Sequence, residues 1–327
     1  MADFKTPLKT NNRLQDNDKI IIPPSPFLNK LGYGTGVNVL QLIRSPKAGE
    51  IRSPWALKMI NKRVKTNKVY SERLKAEAEI LKRLSHPNIV GFRAFSKANT
   101  LFLGMEKCDL SLGDMIEKKV DIDDLQPFPP KNCLKLSFTI FLVAVDIGQA
   151  LEYLHWEQHL LHGDVKSYNI LVNGDFQICK LCDFGVCLPL NQDGYFDKER
   201  ANGAMYYGTE AWSAPEVLRG EPLSDRTDVF PLGLCLWEML ALAPPHSLGD
   251  QAGPEDSLLG LDDSEDDGIP YDKYGTVPAI PHHICPEQYC AVLSLVQHCG
   301  HAAPHRPAAG EVSRAALLAL TQLNDTS

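Results

Sequence analysis

The stretch HGDVKSYN, residues 162–169, places Asp164, Lys166 and Asn169 in one short segment, and a later DFG adds Asp183. A positioned carboxylate can accept the proton of a hydroxyl group. Carboxylate and amide oxygens are also the ligands that Mg²⁺ prefers. Any one of these residues could instead lie in a turn or cap a helix. Because they occur in order and at consistent spacing, the segment predicts a metal-assisted reaction site.

A glycine-rich segment, LGYGTGVNV, occupies residues 31–39. Glycine N–H groups can approach phosphate oxygens closely because no Cβ is in the way. A Rossmann-type loop would lead into a helix, whereas VNVLQLIR continues as a strand, which predicts a β-turn-β flap. The last glycine comes one residue earlier than in G-x-G-x-x-G, where Val37 stands. The candidate nucleotide contacts in this segment are Gly32, Gly34, Gly36 and Val39.

Lys58 ends the strand-like run WALK, and residues 68–84 have the apolar spacing of an amphipathic helix. A lysine that contacts the α- and β-phosphates of a nucleotide needs a carboxylate to hold it. Glu77 lies on the predicted helix at the sequence offset expected for that carboxylate. Glu79 is the alternative, but its offset fits less well, so we predict a Lys58–Glu77 ion pair.

The chain divides into a β-rich part and a helical part. Residues 1–26 are rich in Asn, Asp, Lys and Pro without apolar periodicity, which predicts a flexible tail. Short strand-like runs and one helix predict a small lobe over 27–106. Long apolar helical runs predict a larger lobe over 107–321, with an acidic loop at 249–274 inserted in it and a C-terminal tail at 322–327. The predicted fold class is therefore α+β.

From about Phe27 to Leu320 the motifs resemble those of the eukaryotic protein kinases. GT followed by APE at 208–216, and HRP around Arg306, agree with that resemblance. It implies a bilobal kinase fold, with a small antiparallel β-sheet N-lobe that carries helix C and a larger, mainly helical C-lobe. It also implies ATP and Mg²⁺ as cofactors and γ-phosphate transfer to protein substrates. A closer likeness to MAP-kinase-kinase-like enzymes implies a role in mitotic or proliferative signalling.

The resemblance also implies a role for individual positions. Catalytic roles fall on Asp164, Lys166, Lys58 and Glu77, and metal ligation falls on Asn169 and Asp183. Besides the glycine-rich segment and Lys58, nucleotide contacts are implied for Ala56, Met105, Glu106, Cys108, Leu171 and Cys182. Structural roles are implied for Asp228, Glu216, Arg306 and Thr209. Asp228 would hold the backbone of the 162–169 loop, and Arg306 would pair with Glu216.

Gly163 stands where most protein kinases have arginine. Three hypotheses follow: a protein kinase, a small-molecule kinase of the aminoglycoside-phosphotransferase type, and a catalytically inactive pseudokinase scaffold. Lys166 favours a protein kinase. So does the segment from GT to APE, residues 208–216, which in protein kinases supports the substrate peptide and is called the peptide platform below. Lys166 also favours Ser/Thr acceptors, with Tyr left open as an additional acceptor. Pseudokinases usually lose one member of the Lys-Asp-Asn-Asp set, and this chain retains the whole set.

The missing arginine also bears on regulation. An arginine beside the catalytic Asp usually belongs to a positive cluster that binds a phosphate on the activation loop. Gly163 removes that charge, so we predict weaker coupling between loop phosphorylation and the alignment of Asp164. Phosphate could still order the loop through Lys198 or Arg200, and its candidate sites are Tyr195, Tyr206, Tyr207 and Thr209. The alternative is that glycine simply fits a tight backbone.

Composition limits the other function classes. A net charge of −8 and a pI near 5.7 argue against a general nucleic-acid or anionic-membrane binder. No N-terminal segment has a charged start followed by an apolar run, so secretion is not expected. Nine cysteines, an odd number at irregular spacing, fit a reducing compartment. These features predict a cytoplasmic or nuclear protein.

Three further segments concern partners. Thr6-Pro7-Leu8-Lys9 matches the S/T-P-x-K preference of cyclin-dependent kinases, so Thr6 is a candidate phosphosite of an upstream cyclin-dependent kinase. The resemblance also implies a PDZ-binding C-terminus, normally Ser/Thr-x-hydrophobic. The sequence ends Asp325-Thr326-Ser327 without an apolar last residue, so we do not expect a PDZ-domain partner. The acidic loop 249–274 is interpreted as solvated, with a docking surface for a basic partner as the alternative.

Overall fold

The computed structural model describes residues 28–34, 36–44, 52–61, 68–96, 101–122, 127–128, 138–247, 273–281, 284 and 286–325. The predicted tail 1–26 with Thr6, most of the acidic loop, and the last residues Thr326 and Ser327 lie outside the described residues. The chain forms two compact units. The first contains Met1–Lys82 and Gly91–Lys107, and the second contains Arg83–Val90 and Cys108–Ser327.

The first unit is built on an antiparallel sheet with strand order β1-β2-β3-β5-β4. Its strands are β1 (Asn29–Gly34), β2 (Val37–Leu42), β3 (Trp55–Ile60), β4 (Phe92–Ser96) and β5 (Phe102–Glu106). One helix, α1 (Lys68–Arg83), lies between β3 and β4 in the chain, close to the predicted 68–84. It turns Leu74, Glu77, Ala78 and Leu81 inward at the helical spacing seen in the sequence.

The two faces of this sheet have different roles because side chains alternate along each strand. On one face, Leu42, Trp55, Leu57 and Phe102 pack into a hydrophobic cluster. The register places Val39 opposite Lys58 and Ala56 opposite Met105, with Gly32 opposite Val39. These residues share the other face. The predicted nucleotide contacts of β1, β2 and β3, together with Met105 of β5, therefore lie on a single side of the sheet.

The second unit is mainly helical. Its helices are α2 (Leu112–Asp121), α3 (Phe138–Trp156), α4 (Pro215–Leu218), α5 (Val229–Ala241), α6 (Pro286–Cys299) and α7 (Ala309–Asp325). Its short strands are β6 (Leu110–Ser111), β7 (Leu160–Leu161), β8 (Ile170–Asn173), β9 (Ile178–Leu181) and β10 (Leu188–Pro189). They form a three-stranded sheet β6-β8-β9 and a β10-β7 pair. The α+β class predicted from the sequence is confirmed.

The core of the second unit is centred on α3 and α5. Every residue of α5 is buried, α6 packs against α5, and α7 packs against α3. By length and composition alone α3 could cross a membrane, but it is mostly buried inside the unit, as expected for a core helix. The core fixes α5 as a rigid support for the loops described below.

The predicted C-terminal tail is partly helical. Helix α7 continues to Asp325, so most of the predicted tail 322–327 is helical, because the sequence there contains no glycine or proline to end the helix.

Candidate active site

The predicted ion pair in the first unit is present. The Nζ atom of Lys58 lies 3.0 Å from Oε1 and 2.9 Å from Oε2 of Glu77. Both side chains are almost fully buried, at 10% and 3% exposed. Burying two charges costs free energy unless they are paired, so this contact fixes both groups. Helix α1 thus holds the Lys58 ammonium on the sheet face that carries Val39 and Ala56.

The glycine-rich hairpin turns tightly between β1 and β2. Gly34 is opposite Val37, and Gly36 has φ +75°, the left-handed conformation that favours glycine. The carbonyl oxygen of Gly36 accepts a hydrogen bond from the Asn61 N–H at 2.8 Å. The hairpin predicted as a β-turn-β flap therefore has that form, with Gly36 rather than residue 37 in the special conformation.

Glu106 is placed differently from the other predicted nucleotide contacts of the first unit. It is opposite Trp55 and so lies on the hydrophobic-cluster face of the sheet. Its Oε2 accepts a hydrogen bond from the Gly91 N–H at 3.1 Å, and its own N–H donates to the Gly91 carbonyl at 2.8 Å. The side chain of Glu106 therefore binds the residue that precedes β4 and does not lie on the face that carries Met105.

In the second unit, four groups hold the carboxylate of Asp164. Its Oδ1 accepts hydrogen bonds from Thr209 N at 3.0 Å and Thr209 Oγ1 at 2.7 Å. Its Oδ2 lies 2.9 Å from Lys166 Nζ and accepts a hydrogen bond from Asn169 Nδ2 at 3.0 Å. Lys166 also donates to Thr209 Oγ1 at 2.7 Å. The residues of HGDVKSYN and the GT element, far apart in sequence, thus converge on one carboxylate.

The candidate metal ligands are neighbours through the backbone. The Cys182 N–H donates to the Asn169 carbonyl at 3.0 Å, which places Asp183, the next residue, beside that loop. Asn169 uses Nδ2 to bind Asp164, which leaves its Oδ1 as the acceptor. Asp183 has φ +64°, an uncommon conformation for a residue with a side chain. Phe184 is fully buried with its ring 5.3 Å from that of His162.

This donor set fits magnesium. Mg²⁺ is bound by one or two protein oxygens and keeps several water and phosphate ligands. Asn169 and Asp183 would supply those protein oxygens. Within the described ranges, no three His, Cys, Asp or Glu side chains are grouped as metal ligands, so a closed, all-protein cation cage is not seen there. The remaining predicted contacts of this unit are Cys108, which is buried, and Leu171 and Cys182, which are partly exposed.

Asp228 holds the start of the 162–169 loop. Its Oδ2 accepts a hydrogen bond from His162 N at 2.7 Å, and its Oδ1 accepts one from Gly163 N at 2.9 Å. His155, which the sequence reasoning missed, lies 2.8 Å from Oδ2 through Nε2. Burial alone would raise the pKa of Asp228, but the hydrogen bond and charge of His155, the charge of His162 and the Gly163 N–H lower it. The carboxylate therefore stays ionised.

A second buried pair supports the peptide platform. The Arg306 guanidinium binds Glu216 through two hydrogen bonds, at 2.6 Å and 3.0 Å, and it also donates to backbone carbonyls of His301 and Arg226. The side chains of Arg306 and Glu216 are 0% and 3% exposed. This is the pairing predicted between the APE and HRP elements. It fixes the first turn of α4 against the loop before α7.

Gly163 has a structural reason to be glycine that is independent of charge. It has φ +79°, and a Cβ at this position would lie 3.2 Å from the Val186 carbonyl. We expect Gly163→Ala to cost about 1–2 kcal/mol of stability and to lower kinase activity, because the strain would displace the neighbouring Asp164. Gly203→Ala is the matched control, since Gly203 has φ +83° but open space around it. Equal activity in the two variants would contradict the prediction, which kinase assays and urea unfolding can measure.

Glu238 is the second group that sequence reasoning left without a role, although a charge inside the apolar run PLGLCLWEMLAL marked it as unusual. Burial raises the pKa of Glu238, and hydrogen bonds from Trp212, Ser167 and Cys235 lower it by less. The resulting pKa is about 8. The folded protein therefore keeps a proton on Glu238 that the unfolded chain, with an ordinary pKa of 4.5, releases. The contribution of Glu238 to the free energy of unfolding therefore falls as pH rises from the unfolded pKa of 4.5 to the folded pKa of about 8.

Glu238→Gln removes this titration. We therefore expect the stability of the wild type relative to that variant to fall between pH about 5 and about 8. Urea unfolding of both proteins at several pH values measures the difference. A difference that stays constant with pH would show that Glu238 titrates alike in the folded and unfolded chain.

Comparison with known proteins agrees with this geometry. A family model described as the protein kinase domain matches residues 26–261. The chain therefore belongs to the protein kinase family, and the family resemblance read from the sequence is confirmed. Protein kinases in general use ATP and a divalent metal ion and act on protein substrates.

Individual relatives fit the same class. The chain is 41% identical to the human lymphokine-activated killer T-cell-originated protein kinase, over 96% of this chain and 98% of that one. It is 31% identical to the serine/threonine/tyrosine-protein kinase HT1 of Arabidopsis thaliana, over 66% of this chain and 50% of that one. It is also 31% identical to the mitogen-activated protein kinase kinase kinase zak-1 of Caenorhabditis elegans, over 53% of this chain and 22% of that one.

Proposed function

We propose that this chain is a catalytically active kinase that transfers the γ-phosphate of ATP, bound with Mg²⁺, to Ser and Thr residues of protein substrates. The observation that supports this most is the position of Asp164, whose carboxylate is fixed by Thr209, Lys166 and Asn169. A scaffold without activity would not need such an arrangement. Retention of the buried Lys58–Glu77 pair argues in the same direction.

Each residue has a chemical task in this proposal. ATP and its metal ion supply the phosphoryl group and neutralise its charge. Asp164 orients the acceptor hydroxyl and accepts its proton, and Lys166 places a positive charge beside Asp164. Asn169 and Asp183 would hold the metal ion. Lys58, kept in place by Glu77, would contact the α- and β-phosphates.

The choice of acceptor rests on Lys166. In this position a lysine is typical of Ser/Thr kinases, and here its ammonium contacts both Asp164 and Thr209. The acceptor can be tested with peptides that differ only in Ser, Thr or Tyr at one position. We expect label from ATP on the Ser and Thr peptides in the presence of Mg²⁺, loss of label with EDTA, and return of label with added Mg²⁺. If the wild type labelled the peptides no more than an Asp183→Asn variant does, the proposal would be wrong.

We further propose that the enzyme acts in MAP-kinase-kinase-like signalling linked to mitosis or proliferation, in the cytoplasm or nucleus. The motif resemblance to MAP-kinase-kinase-like enzymes supports the signalling class, and so does the similarity to the mitogen-activated protein kinase kinase kinase zak-1. The proposed location follows from the cysteine content of the sequence. Thr6 is the proposed phosphosite of an upstream cyclin-dependent kinase, on the basis of its Pro7 and Lys9 neighbours. A mitotic cyclin-dependent kinase should label the wild-type chain and label the Thr6→Ala variant much less. Equal labelling would remove Thr6 as the site.

We propose that the kinase becomes active without phosphorylation of the two exposed tyrosines of the activation loop, Tyr195 and Tyr207. Tyr195 and Tyr207 are 53% and 55% exposed. Arg200, a predicted phosphate partner, already donates to the Leu190 carbonyl at 3.0 Å. The Thr209 hydroxyl donates a hydrogen bond to Asp164, so we assign Thr209 a structural role and not the role of a phosphosite.

We therefore expect the Tyr195→Phe/Tyr207→Phe double variant to keep peptide kinase activity within about twofold of wild type. Steady-state assays on both proteins, each with and without prior phosphatase treatment, measure this. A tenfold loss in the double variant would show that tyrosine phosphorylation controls the alignment of Asp164.

A further inference from the structure

Glu238 lies in the middle of α5, where every neighbour along the helix is buried, and it is 2% exposed. Burying a carboxyl group costs free energy unless its oxygens are hydrogen-bonded. Here both are bonded. Oε1 accepts from Ser167 Oγ at 2.8 Å, and Oε2 accepts from Trp212 Nε1 at 2.8 Å. An apolar side chain of similar size would fill the space without this cost, so packing alone does not explain the residue.

The first partner belongs to the loop that carries the reaction. Ser167 is fully buried and lies between Lys166 and Asn169, both of which contact Asp164. Its bond to Glu238 therefore holds the second half of the 162–169 loop to α5. Asp228, at the start of the same helix, holds the first half through backbone N–H groups.

The second partner belongs to the peptide platform. Trp212 ends a short helical turn, Glu210–Trp212, that directly follows Thr209. Thr209 contacts Asp164 through both its N–H and its hydroxyl. The Trp212 N–H can only donate, so it needs an acceptor inside the core. Glu238 supplies that acceptor from α5.

We propose that Glu238 is a positioning residue that keeps the loop of Ser167 and the segment of Trp212 in a fixed arrangement around Asp164. This inference rests on the proposed function, because Asp164 is the group it positions. Since α5 is rigid, one carboxyl group with two partners aligns both segments with respect to each other. A displacement of about 1 Å in such a site can lower the rate about a hundredfold.

The test compares three proteins with the wild type. A triple variant, Ser167→Ala/Trp212→Phe/Glu238→Leu, removes both strong donors and the acceptor together. Only the weak donor of the buried Cys235 thiol, which also bonds Glu238, loses its acceptor, so the variant should stay folded. Glu238→Gln keeps a hydrogen-bonding group of the same shape. A paired control, Trp156→Phe/Ser294→Ala, makes the same two partner substitutions at exposed positions. Peptide phosphorylation, ATP hydrolysis without peptide, and the melting temperature are measured for each.

We expect the triple variant to melt within a few degrees of wild type but to phosphorylate the peptide at least about tenfold more slowly. Its ATP hydrolysis should fall by less, because water needs no peptide platform. Glu238→Gln and the control should stay within about threefold of wild type. A folded triple variant with wild-type peptide phosphorylation would overturn the inference. So would an equal loss of both activities, which indicates a structural role only.

A second measurement separates this inference from the proposed function and does not need the triple variant to fold. Ser167→Ala should speed amide hydrogen exchange in residues 208–214, because the substitution loosens Glu238 and so Trp212. In the Glu238→Leu background the same substitution should have no further effect on that segment. Unchanged exchange after Ser167→Ala would overturn the inference even in an enzyme without activity. Absence of phosphorylation by the wild type, with the exchange effect present, would count against the proposed function alone.

Discussion

An Asp164→Asn variant is expected to phosphorylate a peptide about 10²–10⁴ times more slowly than the wild type. Asparagine cannot accept the proton of the acceptor hydroxyl. It also removes the negative charge that draws Lys166 Nζ to within 2.9 Å. The lysine and the metal ligand Asn169 would lose their common partner. Because the proposed task of Asp164 concerns the acceptor hydroxyl and not the nucleotide, the KM for ATP should change little.

The matched control for this experiment is Asp175→Asn. Asp175 is exposed in the turn between β8 and β9, close in sequence to the same loop. Steady-state kinetics of the three proteins, with thermal unfolding to check folding, complete the test. A variant at Asp164 with more than a tenth of the wild-type rate would show that this carboxylate is not the group that acts on the hydroxyl.

The largest expected effect on stability comes from Arg306→Met. The substitution leaves the buried Glu216 carboxylate without its two hydrogen bonds, and both side chains are almost completely shielded from water. Removing one partner of a buried pair costs about 3–5 kcal/mol. We expect urea unfolding to show a loss of that size. Two backbone carbonyls that Arg306 also binds would lose a donor as well.

The chain offers a matched surface pair as the control. Arg314 contacts Glu152 at 3.2 Å, and their side chains are 63% and 44% exposed. Exposed pairs contribute about 0–1 kcal/mol, so Arg314→Met should have a small effect. If Arg306→Met cost no more than Arg314→Met, the buried pair would not support the peptide platform in the way described above.

Much of the site could be predicted because motif spacing carries chemical information. Glu77 was preferred over Glu79 by sequence offset alone, and the structure places Glu77 against Lys58. The α+β class followed from a period-two pattern before residue 107 and a helical pattern after it. Motifs such as these are local in the sequence, so one chain suffices to read them.

Residues that act through tertiary contacts could not be found in the same way. His155, Ser167 and Trp212 are ordinary in the sequence, and their roles depend on partners 73, 71 and 26 residues away. Glu238 gave a signal, a charge inside an apolar helix, but no partner could be named for it. Gly163 was interpreted mainly through the charge it lacks, whereas its positive φ gives a backbone reason.

Two local features, the end of the last helix and the face on which a strand residue lies, were also not read from the sequence. Residues 322–327 were predicted as a tail, yet α7 continues to Asp325 because no glycine or proline ends it earlier. The resemblance implied nucleotide contacts for both Met105 and Glu106, and alternation along β5 puts their two side chains on opposite faces.

The most direct test of the central claim is single-turnover transfer from γ-³²P-labelled ATP to a Ser-containing peptide, with enzyme in excess over ATP and Mg²⁺ present. We expect the wild type to move the label onto the peptide serine and the Asp183→Asn variant to leave it on ATP over the same time. If the wild type left ATP intact, or released the label only as free phosphate, the chain would not be an active protein kinase.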